Sequence, residues 1–386
     1  MFGPGELRTA LRLARVPQGG RSVLVPTCVH SRFLLSGHFQ TRTQHNNSRE
    51  SRSRRSQPHA PGAVSRSQVV DVPHEVRSSP GAERHVASPE HHFPAYNEWP
   101  KVKVRYLRPA IWALVVTSGI FLGGSYLEAK RVLKEKEADG GWLQAPQLHW
   151  SPPKQNPPTP TEVATQWWRN MDGVSKVSWG IIGANTLVHA SSFLTPGVWN
   201  ALWHMPARNV NYTLFTSTWV HSGALHFFVN MYCLNNFMNP VGYSKLFEGS
   251  PYHLLSFFLS AGVLSGFAQH WSTLIPVQKR AIPEIFIRCG GASGALFGIL
   301  GAFCMQYPTA GLGIIFVPVH FDAQYVLPAV MLFDFIGMVR GYSFVNFGHA
   351  AHFSGALCGV AYSYFDGKNT LWKPLVRKWI SVLRKK

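Results

Sequence analysis

Seven apolar stretches, each close to the length that crosses a bilayer, decide what this chain can become. They fall at residues 109–127, 177–194, 222–238, 253–271, 290–306, 323–340 and 346–365. A transmembrane helix needs about 20 predominantly apolar residues. The first stretch has Lys101, Lys103, Arg105 and Arg108 before it, and Lys130 and Arg131 after it. A polar, proline-rich interval separates it from the other six, which follow in close succession. The expected architecture is therefore an all-α polytopic membrane protein: one additional N-terminal transmembrane helix at 106–128, a Pro-rich linker at 129–176, and a six-helix bundle at 177–366. Two intervening segments read as interfacial: 195–220, which mixes Trp, His and Arg with apolar residues, and Leu312 to Phe321, which is apolar but interrupted by proline. Residues 367–386 read as a solvated basic tail.

Composition agrees with a membrane protein. The chain is 46% hydrophobic and only 14% charged over 386 residues. The net charge of +19 is concentrated in the leader and beside the apolar runs, which argues against a nucleic-acid-binding surface. Residues 1–60 hold ten Arg, no Lys, no Asp and two Glu. Leu7 to Arg15 has the pattern of a basic amphipathic helix. Residues 1–55 are thus expected to be a mitochondrial transit peptide, and residues 56–105 a disordered N-terminal region. The five cysteines form no CxxC pair, so neither a disulfide frame nor a zinc site is indicated.

The polar residues inside the apolar runs carry the chemistry. Gly290-Gly291-Ala292-Ser293-Gly294 opens the fifth run, and Gly348-His349-Ala350-Ala351-His352 opens the seventh. A hydroxyl in hydrocarbon costs free energy unless it has a partner. Serine and histidine on separate spans suggest a nucleophile and its base. Gly294 and Gly298 form one GxxxG, and Gly355 and Gly359 another. Small residues let two helix backbones approach closely, so the two motifs can bring Ser293 within reach of a histidine. The start of a helix at Ser293 also offers free backbone N–H groups to a developing oxyanion.

Which histidine acts as base follows from helical rotation. At about 100° per residue, Gly355 and Gly359 lie about 60° and 20° from His352, but about 120° and 80° from His349. His352 is the better aimed, and His349 is expected one turn earlier, nearer the interface, as a cavity-edge or structural residue. Earlier in the chain His226 and Asn230, four residues apart, share one helix face and can both donate hydrogen bonds. Oxyanion stabilisation suits them better than metal binding, because Asn is a poor zinc ligand and no HExxH is present; the alternative is a pair of interhelical hydrogen bonds.

The set Thr216-Ser217, His221, His226-x-x-x-Asn230-Met231, Gly291-Ala292-Ser293-Gly294 and Ala351-His352-x-x-Gly355-x-x-x-Gly359 resembles the rhomboid intramembrane serine proteases. With the leader and the additional N-terminal helix, it looks like their mitochondrial branch. The resemblance implies a Ser293–His352 dyad. It also implies an oxyanion hole from His226, Asn230 and the Ser293 backbone N–H, with His221 as a structural histidine. Many rhomboids carry a tyrosine four positions after the serine; here that residue is Phe297. No third acid of a triad is evident. Asp334 is the only acid inside a predicted span and is read as structural or cavity-facing. No metal or organic cofactor is implied. The expected partners are the lipid bilayer, single-span transmembrane substrates, and inner-membrane protease or scaffold proteins. By the same resemblance the pathways would be mitochondrial quality control, mitophagy and apoptosis. The alternative is a non-catalytic rhomboid-like adaptor or chaperone. A transporter built from inverted repeats finds no internal repeat here, and an aspartyl intramembrane protease would need a second acid.

Overall fold

The computed structural model describes residues 99–139, 157–275, 282–313, 319–342 and 348–385. The expected transit peptide and the expected N-terminal region up to residue 98 lie outside them. The chain divides into two units, Met1–Arg84 and His85–Lys386, and every described residue belongs to the second.

The described part is predominantly helical. It begins with α1 (Leu107–Asp139) and α2 (Pro160–Asn170), followed by α3 (Gly173–Leu194) and the short α4 (Pro196–Leu202) and α5 (Thr213–Thr216). Next come α6 (Ala224–Gly242), α7 (Pro251–Ser272), α8 (Ser293–Gln306), α9 (Ala323–Arg340), α10 (His349–Tyr364) and α11 (Lys373–Leu383). Between α8 and α9, β1 (Gly311–Gly313) pairs antiparallel with β2 (His320–Asp322), with Leu312 opposite Phe321. This pairing is the form taken by the Leu312–Phe321 stretch, whose middle residues lie outside those described.

Among the described residues, three helices are long and apolar enough to cross a membrane: α1, α7 and α9. The 14-residue α8 is apolar but shorter. The other expected spans are helical but more polar. For example, α6 carries His226, Asn230, Asn235, Asn236 and Asn239.

Three elements depart from the sequence expectation. First, α1 runs to Asp139 rather than stopping at 128. Its added turns carry Arg131 paired with Glu128 at 2.7 Å and Glu135 at 3.3 Å, i,i+3 and i,i+4 contacts that support a helix. Second, α2 lies within the expected linker. Thr159 and Glu162 cap its N-terminus reciprocally and Pro160 fills its first turn. Third, the expected solvated tail contains α11. Trp372 and Val376 are buried against Ala129 of α1, with Trp379, Ile380 and Leu383 packed alongside.

The core lies between α3, α6, α7, α8 and α10. Val174, Leu234, Met238, Leu254, Phe258, Ile299 and Ala356 pack together there. Against lipid, helices gain little from hydrophobic burial, so close backbone approach must supply the packing. Glycine provides it. A Cβ on Gly355 would fall on the Gly294 carbonyl oxygen, and one on Gly359 would fall on the Gly298 carbonyl oxygen. A Cβ on Gly294 would meet Ser265 at 2.6 Å, and one on Gly298 would meet Ala261 at 2.9 Å. The helix pair α8–α10 is thereby drawn together, with α7 behind it. The helix α1 seats on α7 by the same device, because a Cβ on Gly124 would fall on Ser256 Oγ.

Its entry is held by polar contacts. His270 Nε2 donates to the Arg105 carbonyl at 2.8 Å, and His270 Nδ1 meets His204 Nε2 at 3.0 Å. Burial, and then the neighbouring His270, pushes His204 down to about 3, so this ring is neutral.

Candidate active site

Ser293 is the first residue of α8, where the leading backbone N–H groups have no partner within the helix. The preceding loop is pinned at three points. Cys289 and His204 exchange backbone hydrogen bonds at 2.8 and 3.1 Å. The Gly291 N–H donates to the Ser217 carbonyl at 2.8 Å, and the Ala292 N–H donates to His221 Nε2 at 3.3 Å. His221, fully buried, thus supports the loop that presents the serine. Gly291 has φ +136, a conformation side chains rarely adopt, and a Cβ there would meet His226 Cε1 at 2.8 Å.

His352 stands in the first turn of α10, and its Nε2 lies 2.9 Å from Ser293 Oγ. The Phe297 ring, one turn along α8 from the serine, lies parallel to the His352 ring at 4.3 Å and 5°. Phenylalanine therefore holds the imidazole plane by stacking alone. The start of α10 is fixed by Gln269, whose Oε1 accepts from the Ala351 N–H at 3.1 Å. Gln269 escaped the sequence reading because nothing in its local pattern sets it apart from other polar residues in spans.

His226 Nδ1 receives the Ser222 backbone N–H at 3.4 Å and lies 3.1 Å from Ser222 Oγ. An Nδ1 that accepts a backbone hydrogen leaves Nε2 to carry the proton. That Nε2 would lie 3.0 Å from a Cβ at position 291, so the donor faces the loop next to Ser293. Asn230 is buried and donates from Nδ2 to the His226 carbonyl at 2.7 Å, which leaves the second Nδ2 hydrogen uncommitted. Ser293, His352, His226, Asn230, Gly291 and Gly294 all line one cavity of about 810 Å³. Gly298, Gly355 and Gly359 lie away from it, in the α8–α10 seam.

Two further features stand out. His349 is 3% exposed, and its Nδ1 donates to Asp334 Oδ1 at 2.7 Å, which fits the structural role expected of it. And the site is not without an acid. Asp334 Oδ1 also lies 3.5 Å from His352 Nδ1. Asp334 and His352 are 18 positions apart on different helices, so no local spacing could have paired them.

Residues 208–369 match the rhomboid domain. The presenilin-associated rhomboid-like protein, mitochondrial, of Homo sapiens is 33% identical over 237 residues, 55% of each chain. Its Mus musculus counterpart is likewise 33% identical over 237 residues, 55% of each chain. Rhomboid protein 1, mitochondrial, of Saccharomyces cerevisiae is 35% identical over 78 residues, 20% of this chain and 22% of the yeast protein. The chain thus aligns with about half the length of its mammalian relatives.

Proposed function

From the match of residues 208–369 to the rhomboid domain, we propose that this chain is an intramembrane serine protease that works through a Ser293–His352 dyad. The observation that carries the reading is the 2.9 Å contact between His352 Nε2 and Ser293 Oγ at the wall of the cavity. Such a contact matches a nucleophile held by its base.

In this mechanism a substrate helix unwinds locally, since a helical peptide bond is shielded in its own hydrogen-bond ladder. Ser293 Oγ attacks the exposed carbonyl carbon as His352 Nε2 takes the hydroxyl proton. The carbonyl oxygen becomes an oxyanion, stabilised by the Ser293 N–H, His226 Nε2–H and the uncommitted Asn230 Nδ2 hydrogen. His352 returns the proton to the departing amine and leaves an acyl-enzyme. A water molecule entering the cavity then adds its oxygen to the acyl carbon as it gives a proton to His352, and His352 passes that proton to Ser293 Oγ as the ester C–O bond breaks and the carboxylic acid leaves.

The proposal extends to the setting. Seven spans in a one-plus-six arrangement, α1 followed by α3, α6, α7, α8, α9 and α10, accommodate the described helices. The mitochondrial names of the relatives and the arginine-rich, acid-poor leader support a place in a mitochondrial membrane, and we assign the inner one. Residues 1–55 serve as the import signal there; a reporter fused to them should enter mitochondria and be trimmed, and cytosolic or secretory routing would contradict this. Substrates are single-span membrane proteins, with roles in quality control, mitophagy and apoptosis. The test is reconstitution of the full chain in liposomes with a single-span reporter. Wild type should cleave within the span, and Ser293→Ala should not. Cleavage by both would end the protease reading, and cleavage by neither would favour a non-catalytic adaptor.

A further inference from the structure

Asp334 sits in the middle of α9, 2% exposed, in a helix otherwise apolar enough to cross a membrane. A carboxylate there is costly unless it is paired and hydrogen-bonded. The approach that pairs it is built into the backbone. Gly337, nearly one turn along α9, has the His349 ring where a Cβ would stand, with Cγ only 2.6 Å away. Any larger residue at 337 would displace the His349 ring from its place against Asp334. The Phe333 and Tyr342 rings close over His349 at 5.6 and 5.3 Å, edge-on, and shelter the contact.

One carboxylate oxygen serves two rings. Oδ1 accepts the His349 Nδ1–H at 2.7 Å and faces His352 Nδ1 at 3.5 Å. We propose that Asp334 is a positioning residue for the reaction: it selects the His352 tautomer that carries its hydrogen on Nδ1, and His349 holds it in place to do so. This rests on the Ser293–His352 reading.

To take the Ser293 proton, His352 must present a bare Nε2, so its hydrogen must sit on Nδ1. An acceptor-only oxygen beside Nδ1 favours that arrangement, whereas a ring with no acceptor there is free to hold its hydrogen on either nitrogen. Phe297 fixes the plane of the ring and leaves its protonation unspecified; Asp334 specifies it. When His352 gains the serine proton, the resulting cation lies beside a carboxylate in a low-dielectric setting. That contact favours the transition state over the ground state. The 3.5 Å spacing in the resting state is longer than a made hydrogen bond, and it leaves room for the contact to shorten as charge develops.

The test uses the full chain in liposomes, labelled with ¹⁵N-histidine, with His352 assigned from the signal missing in His352→Ala. Wild-type His352 should show a protonated Nδ1 and a bare Nε2. Asp334→Asn should shift that population toward Nε2–H and slow reporter cleavage by at least about tenfold. The ceiling is about 10⁴, the loss seen when the acid of a Ser-His-Asp triad is changed to its amide. A purely structural carboxylate would leave the tautomer of a folded variant unchanged. Wild-type speed with an unshifted tautomer in Asp334→Asn overturns the proposal. If that variant does not fold, the wild-type spectrum still decides, because a hydrogen resident on Nε2 refutes the idea directly. Cleavage that persists in Ser293→Ala would instead overturn the serine-protease reading.

Discussion

Alanine at position 359 probes the link between helix packing and chemistry far from the reacting atoms. Gly359 lies seven residues beyond His352, about 10 Å along α10. Its missing Cβ leaves room for the Gly298 carbonyl oxygen, and the Ala302 nitrogen lies only 2.6 Å from where that Cβ would be. Both obstacles are backbone, so no side-chain rotation relieves them. To restore ordinary van der Waals spacing, α10 must move off α8 by about 1 Å. Overpacking of this kind costs about 1–3 kcal/mol of stability. A displacement of about 1 Å at a catalytic contact can cost on the order of a hundredfold in rate. Gly359→Ala should therefore melt at lower temperature in detergent and cleave a reporter roughly a hundredfold more slowly. Gly180→Ala on α3 is the matched control. Nothing lies within 4 Å of its added methyl, and alanine favours a helix over glycine by about 1 kcal/mol, so it should be no less stable than wild type. A Gly359→Ala protein with wild-type melting and turnover would refute the claim that this seam sets the Ser293–His352 distance.

Other expectations follow from single contacts. Loss of one oxyanion donor costs about 2.7–4 kcal/mol, so His226→Ala and Asn230→Ala should each slow turnover by about a hundred- to a thousandfold; wild-type rates in both would reduce them to packing residues. His352→Ala should abolish proteolysis, whereas His349→Ala, which reaches the nucleophile only through Asp334 and His352, should retain a measurable rate; the reverse would mean that the base is misassigned. Outside the spans, Asp172 caps α3 by accepting the Ser175 N–H at 2.9 Å and the Tyr243 hydroxyl. Burial pushes its carboxyl up, but these hydrogen bonds outweigh it and bring Asp172 from 3.8 down to about 2. A lowered folded-state value means that the cap stabilises fully above about 4 and fails as pH falls toward 2. Asp172→Asn should flatten the pH dependence of the melting temperature in that window, and an unchanged slope would argue against the cap.

Much of the site was legible because its signals are local. Ser293 and His352 stand at the starts of apolar runs, and the glycine spacing on α8 and α10 pointed to the face that joins them. The helices α3 and α6 to α10 fall on apolar runs visible in the sequence. Two surface helices were missed although their signals were present. Thr159-x-x-Glu162 is a capping box that opens α2, and Val376, Trp379, Ile380 and Leu383 form the amphipathic stripe of α11. Proline and basic residues in those stretches masked both patterns. Asp334 with His349, and Gln269 with Ala351, were not legible at all. Each pair joins different helices, and only the close approach that Gly337 and the α8–α10 seam permit brings them into contact.

The most direct test of the account is to locate a covalent adduct. The reconstituted chain is treated with a fluorophosphonate, digested, and mapped by mass spectrometry. A serine hydroxyl reacts with this reagent only when a neighbouring base activates it. The account predicts an adduct on the peptide containing Ser293, absent from Ser293→Ala and lost or strongly slowed in His352→Ala. An adduct on another residue, or none on a wild-type protein that cleaves its reporter, would contradict it.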